Sequence, residues 1–163
     1  MKAWNKAILY PAVKGLSLIL VLVFILVISS NGKISNADFE TVSKAVIEAS
    51  QDMDKMQATD AQMVKRLYGI SPSDYEGLML YYPTTNMGAE EILLVKLKDL
   101  NQTTDVEKAI EARKASQMAS FDGYGMTQYA MLENSKVEVR GNYILYIVSP
   151  NDQPVIKAFT DAL

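Results

Sequence analysis

The sequence predicts an α+β protein: an N-terminal transmembrane helix, then a two-layer domain with an antiparallel four-stranded sheet carrying helices on one face. Three observations predict it. Residues 15–30, GLSLILVLVFILVISS, are apolar except at small positions. Beyond them the apolar residues recur by turns at helical and at alternating spacing. Gly141-Asn142 also joins two alternating segments, as a two-residue hairpin loop does. Taken in order, the sheet-forming part reads as two hairpins in a ββαββα arrangement.

The apolar run comes first. Counted from Ala12 to Ser30 it has 19 residues, which as a helix span about 28 Å against a hydrocarbon layer of about 30 Å. Lys14 then has to extend its stem toward the headgroups, while Trp4 and Tyr10 suit the interface. Lys2, Lys6 and Lys14 are the only charged residues before Lys33, so the lysines stay inside and the rest goes outside. Residues 1–30 are therefore read as a cytoplasmic start and signal anchor, 31–36 as a linker and 37–163 as the extracytoplasmic domain. A cleaved signal peptide is the competing reading, with Val27 and Ser29 able to serve before the cut. A secreted protein of the same fold would result.

From Ala37, the spacing of Phe39, Val42 and Val46 predicts a helix, with Asn36 able to cap it. The stretch SQDMDKMQ is polar and ends or bends that helix. TDAQMVKRLYG predicts a second helix, capped by Thr59 or Asp60, with Met63 and Leu67 inward and Gly69 at its end. After the turn ISPSD come the strand Gly77 to Tyr82, halted by Pro83, and the strand Glu91 to Asp99. TTDVEKAIEARKASQMASF predicts a long helix capped by Thr103 or Thr104, with Val106, Ala109, Ile110 and the stem of Arg113 on one stripe. Asp122-Gly123 closes it, and Gly125 redirects the chain into a short helix, MTQYAMLEN. KVEVR and YILYIVS form the second hairpin. Asp152 and Pro154 open a last helix, with Val155, Ile156, Phe159 and Leu163 inward.

Composition narrows the chemistry. The 163 residues hold no cysteine and no histidine. The familiar Ser-His and Cys-His catalytic sites and the usual zinc sites are thereby excluded. After residue 30 stand 13 Lys and Arg against 19 Asp and Glu, net −6, which disfavours nucleic acid. No phosphate-binding loop, dinucleotide fingerprint or nucleophile elbow occurs. No catalytic residue, cofactor or metal is assigned, and the chain is read as a non-enzyme. Asp52, Asp54 and Asp60 lack the spacing of a calcium loop. Glu90 and Glu91 are adjacent on a strand and point to opposite faces, so they cannot share a proton-transfer task. They are read as a solvated residue beside a strand start, and Lys96 as a lysine extending from a sheet surface. The candidate ligand- or partner-binding residues are Arg113 and Gln117, four apart on one helix face, with Tyr124 between two glycines and Gln128 just beyond. Eight of the nine tyrosines lie in the outer part, so a Tyr-rich groove for a glycan or small ligand is the alternative to a protein-binding surface.

LYGISPSDYEGLMLYYP, EILLVKLKD, EARKASQMASFDGYGMTQY and VRGNYILYIVSP, in that order, resemble the domain-of-unknown-function 4358 family of Gram-positive bacteria, over residues 36 to 163. The resemblance implies a small envelope protein held by a membrane segment or lipid anchor. It transfers no activity and no catalytic residue. Through relatives that sit near membrane O-acyltransferases, it implies an accessory role beside wall-polymer O-acylation machinery. The expectation is thus a single-pass membrane protein that touches the bilayer through residues 12–30 and binds an envelope protein partner.

Overall fold

Two strands with apolar side chains on both faces need cover on both sides, and this requirement organises the domain. They are β3 (Glu91–Lys96) and β5 (Tyr143–Val148), every residue of which is buried. The computed structural model describes residues 34–163 together with Ser17, Ile19, Leu20 and Val21, which are helical. Residues 1–33 and 34–163 form separate units. Most of the transmembrane segment expected over residues 12–30 lies outside the described residues. Among the described residues no helix is long and apolar enough to cross a membrane.

The second unit runs α1 (Phe39–Ala49), β1 (Met56–Ala58), α2 (Ala61–Tyr68), β2 (Gly77–Pro83), β3, α3 (Thr103–Phe121), α4 (Met126–Glu133), β4 (Lys136–Arg140), β5 and α5 (Asp152–Asp161). The strands form one antiparallel sheet in the order β1-β2-β3-β5-β4. The sheet has five strands rather than four. The extra strand, β1, is three residues long and pairs Met56 with Pro83 and Ala58 with Tyr81. It falls in the polar stretch that reads only as a helix end. Its formation depends on the edge of β2, not on local pattern.

The two-layer expectation is corrected as well, because helices cover both faces. Ile92, Leu94, Tyr143, Leu145 and Ile147 pack under α1 and α5, against Val42, Val46, Val155 and Phe159. Leu93, Val95, Ile144, Tyr146 and Val148 pack under α2, α3 and α4, against Val64, Tyr68, Val106, Ile110 and Leu132. Alternation along β3 and β5 sends successive side chains to opposite layers, so an all-apolar strand has two cores to supply.

Local signals were shifted in places. Asp38, not Asn36, caps α1, its Oδ2 accepting from the Thr41 amide at 3.0 Å. Asp60 caps α2, accepting from the Met63 amide at 2.9 Å. Val64 and Tyr68 point inward there, while Met63 and Leu67 are half-buried. Neither Thr103 nor Thr104 caps α3. The helix continues a short 3-10 turn, Leu100–Gln102, whose capping box pairs Asp99 with Gln102. In the β4–β5 hairpin only Gly141 takes positive φ, at 59°. Asn142 instead turns inward, and its Oδ1 accepts from the Ser35 amide at 2.8 Å. The Ser35 hydroxyl donates to the Leu163 carbonyl at 3.2 Å, and Lys96 and Tyr143 both donate to the Ala37 carbonyl.

Candidate functional site

The start of β3 places a glutamate where a core residue would stand. Glu91 is opposite Val148 of β5 and is fully buried. This corrects the reading of Glu90-Glu91 as holding a solvated residue beside the strand start, since Glu90 is buried too. Being in phase with Leu93 and Val95, Glu91 faces the layer of α2 and α3. There Arg113 approaches it side-on, Nε to Oε1 at 3.1 Å and Nη2 to Oε2 at 2.7 Å. Gln117, one helical turn further along α3, donates Nε2 to Oε2 at 3.1 Å. The Tyr68 hydroxyl, from the last turn of α2, donates to Oε1. Four donors thus satisfy one buried carboxylate, which is the condition under which a buried charge is tolerated.

The electrostatics follow. Burial, and then the neighbouring Glu91 charge, push the Tyr68 hydroxyl well above its ordinary titration range. The Tyr146 hydroxyl is likewise pushed up, chiefly by burial. For Arg113 burial works against the charge, but the hydrogen bonds and charge of Glu91 outweigh it and hold the proton more firmly. Among the described residues the buried Gln117 Oε1 lacks a hydrogen-bond partner, while Ser135 is the polar group beside the Tyr146 hydroxyl and pulls against the effect of burial. The orientation of the Gln117 amide is set by its neighbour, since only the NH2 end can face the Glu91 carboxylate.

Beside this cluster lies an open cleft of about 540 Å³, within the usual range for ligand sites. Three of the four residues singled out in the sequence, Arg113, Gln117 and Tyr124, line it. Gln128 does not. It donates to the Met87 carbonyl at 2.9 Å and ties α4 to the loop after β2. Tyr124 is 64% exposed, and its ring lies 6.1 Å from that of Phe121. It projects from the bend between α3 and α4, where Gly123 has φ of 81° and the Gly125 amide returns to the Phe121 carbonyl at 2.9 Å. The bend reading of FDGYGMTQY therefore holds, and the bend also presents a tyrosine at the cleft.

A second polar group escaped the sequence reading. Asp52 is buried and accepts from Lys55 Nζ at 2.8 Å and from the Ser149 hydroxyl at 2.6 Å; Lys55 also lies 3.5 Å from Glu90. Burial raises the Asp52 carboxyl, but those two hydrogen bonds and the Lys55 charge together bring it below its usual value. The group ties β1 to the neighbouring ends of β3 and β5. The reading of Lys96 as extending from a sheet surface is corrected: it is buried, with its ammonium 2.7 Å from Glu76 Oε1. Among the described residues no three acidic, cysteine or histidine side chains gather to hold a metal.

The signal for Glu91 was present in the sequence. An acidic residue heads an apolar strand, and Arg113 and Gln117 sit on the same stripe of α3 as Ala109 and Ile110. A charge inside each of two apolar patterns is the mark of a buried pair. What the sequence lacked was any indication that this strand and this helix face one another.

No curated protein and no solved structure matches the chain. The family model described as a domain of unknown function, DUF4358, matches residues 49–149, from the end of α1 to the residue after β5. With that match over more than half its length, the chain belongs to the DUF4358 family.

Proposed function

We propose that this protein is a non-enzymatic, membrane-anchored binding module of the bacterial envelope, with residues 37–163 on the extracytoplasmic side. The observation that carries the binding role is the cleft lined by Arg113, Gln117 and Tyr124. One wall is fixed by the enclosed Glu91 cluster, so its polar groups are held in place before any partner arrives. The membrane role rests on the apolar run of residues 15–30 and the three lysines before it. The leading occupant is another envelope protein, and the resemblance noted in the sequence points to wall-polymer O-acylation machinery as one candidate.

Two measurements test this. A photo-crosslinking residue at Tyr124 of the full-length protein in intact cells is expected to give a discrete adduct, and one at exposed Lys44 on α1 is not. Equal labelling at both positions, or none at either, overturns the cleft as the binding surface. Protease added to protoplasts is expected to digest residues 31–163, and their protection overturns the orientation. A mature chain starting near Asn31 would replace the anchor by a cleaved signal.

A second reading is favoured by the cleft's size and by its wealth of neutral polar groups. In that reading the occupant is a small ligand, with the tyrosines as apolar contacts.

A further inference from the structure

The chemistry of the cleft walls is one-sided. Residues 31–163 carry more acidic than basic side chains, yet among the described residues no carboxylate lines this cleft, while two arginines, Arg66 and Arg113, do. Glu91 neutralises Arg113 from behind and has both oxygens engaged. That contact uses Nε and Nη2 of the guanidinium and leaves Nη1 without an acceptor among the described residues. Arg66 projects from α2 and makes no ion pair among the described residues. The cleft therefore has one unbalanced positive charge and a second guanidinium edge held rigidly by a buried partner.

The neutral groups point the same way. Among the described residues the Ser116 hydroxyl and the Asn86 amide have no hydrogen-bond partner. Each can both donate and accept, as hydroxyl-bearing ligands require. Tyr82 and Tyr124 add aromatic surface with a polar tip. Cationic forks, uncommitted hydroxyl and amide groups, and aromatic rings without any acid are the complement of a polyhydroxylated anion.

Resting on the second reading above, we propose that this cleft binds a short acidic saccharide. Its anionic group, a carboxylate or a phosphate, would be met by Arg66 and by Nη1 of Arg113, and its ring hydroxyls by Ser116 and Asn86. Glu91 acts as a positioning residue, orienting the guanidinium without touching the ligand.

The test titrates digalacturonate, cellobiose and glucose 1-phosphate into the full-length chain by calorimetry, in a zwitterionic detergent that carries no sugar. Saturable binding of digalacturonate with Kd below about 1 mM is expected. Cellobiose is expected to bind at least about tenfold more weakly, because it lacks the charge. Comparison with glucose 1-phosphate then tells whether carboxylate or phosphate is preferred. Arg66→Gln, at an exposed position, should weaken digalacturonate at least about tenfold, with an unchanged melting temperature and unchanged cellobiose binding. Equal binding of cellobiose, no saturable binding of either anion, or indifference to Arg66→Gln overturns the proposal. If an acetylated tripeptide binds instead and Tyr124→Ala abolishes its binding, the saccharide assignment falls while the binding module stands. If no probe binds, the saccharide assignment falls, and cross-linking at Tyr124 alone decides the module.

Discussion

Strand β3 carries a charge at each end, and its two faces treat those charges differently. Lys96 belongs to the face covered by α1 and α5, where Val42, Val46, Leu145 and Phe159 form an apolar layer. It extends to the rim and meets Glu76, which is half-exposed. Glu91 belongs to the face covered by α2, α3 and α4, and it does not escape. That layer supplies Arg113, Gln117 and Tyr68 to it and opens into a cleft alongside. Both charges are buried, but Lys96 carries its ammonium to the edge, where Glu76 and the Ala37 carbonyl meet it, whereas Glu91 is met by partners inside its layer. The apolar layer supplies stability by excluding water, while the other layer gives up some apolar contact for polar groups held in fixed positions.

The sharpest way to break this contrast is Arg113→Ala, which strands the Glu91 carboxylate. A loss of about 3–5 kcal/mol in chemical unfolding is expected. Replacing both partners, Glu91→Leu with Arg113→Met, should cost less than Arg113→Ala alone. A single-variant cost under about 1 kcal/mol would mean that the pair behaves like a surface salt bridge. On the opposite face, Leu145→Ala should cost about 2–5 kcal/mol through lost burial and the cavity left behind. Because no titratable group touches that term, the cost should be equal at pH 6 and pH 8, and a marked pH dependence would show that the layer is not purely apolar.

Tyr68→Phe removes one hydrogen bond to the buried carboxylate and should cost about 1.5–3 kcal/mol at neutral pH. It also carries a pH signature. The folded-state proton of Tyr68 is held well above the ordinary value of 10.0. Below that value both states keep the proton and the contribution is constant. As pH rises past it, the unfolded chain releases its proton first, so stability falls until the folded value is reached. The alkaline decline should be shallower in Tyr68→Phe, and an identical slope in the two proteins would refute this. The smallest effects belong to the bend. Gly123→Ala puts a side chain at φ of 81° with no atom within 4 Å of the new Cβ, so about 1 kcal/mol of backbone strain is expected and no clash. Tyr124→Phe should shift the melting temperature little, and a large shift would make Tyr124 a structural residue.

Much of the fold was legible from local pattern. The helices α1 to α5, the strands β2 to β5, the Gly141 turn and the Gly123 bend were all read from apolar spacing or turn residues of their own or beside them. What was not legible depends on contacts distant in sequence. β1 exists because Gln57 finds Tyr82. The second helical layer follows from β3, whose Ile92-Leu94 and Leu93-Val95 sets each need cover. Of the candidate residues, Arg113 and Gln117 were read as a pair on one helix face able to meet a carboxylate or a sugar, and the carboxylate they meet here is Glu91 of the same chain. Tyr124 was placed correctly by its flanking glycines, whereas Gln128 serves to join α4 to the Met87 loop.

The clasp around Ser35 and Ala37 has a mechanical consequence. Chain entering the domain at Ile34 is fastened within a few residues to Asn142, Leu163, Lys96 and Tyr143. Traction applied ahead of Ile34 would therefore be borne first by hydrogen bonds to the hairpin turn and the inner strands, before α1 could be peeled from its layer. Those bonds load together rather than one after another, so the domain should yield abruptly at a single force rather than unravel from its first helix.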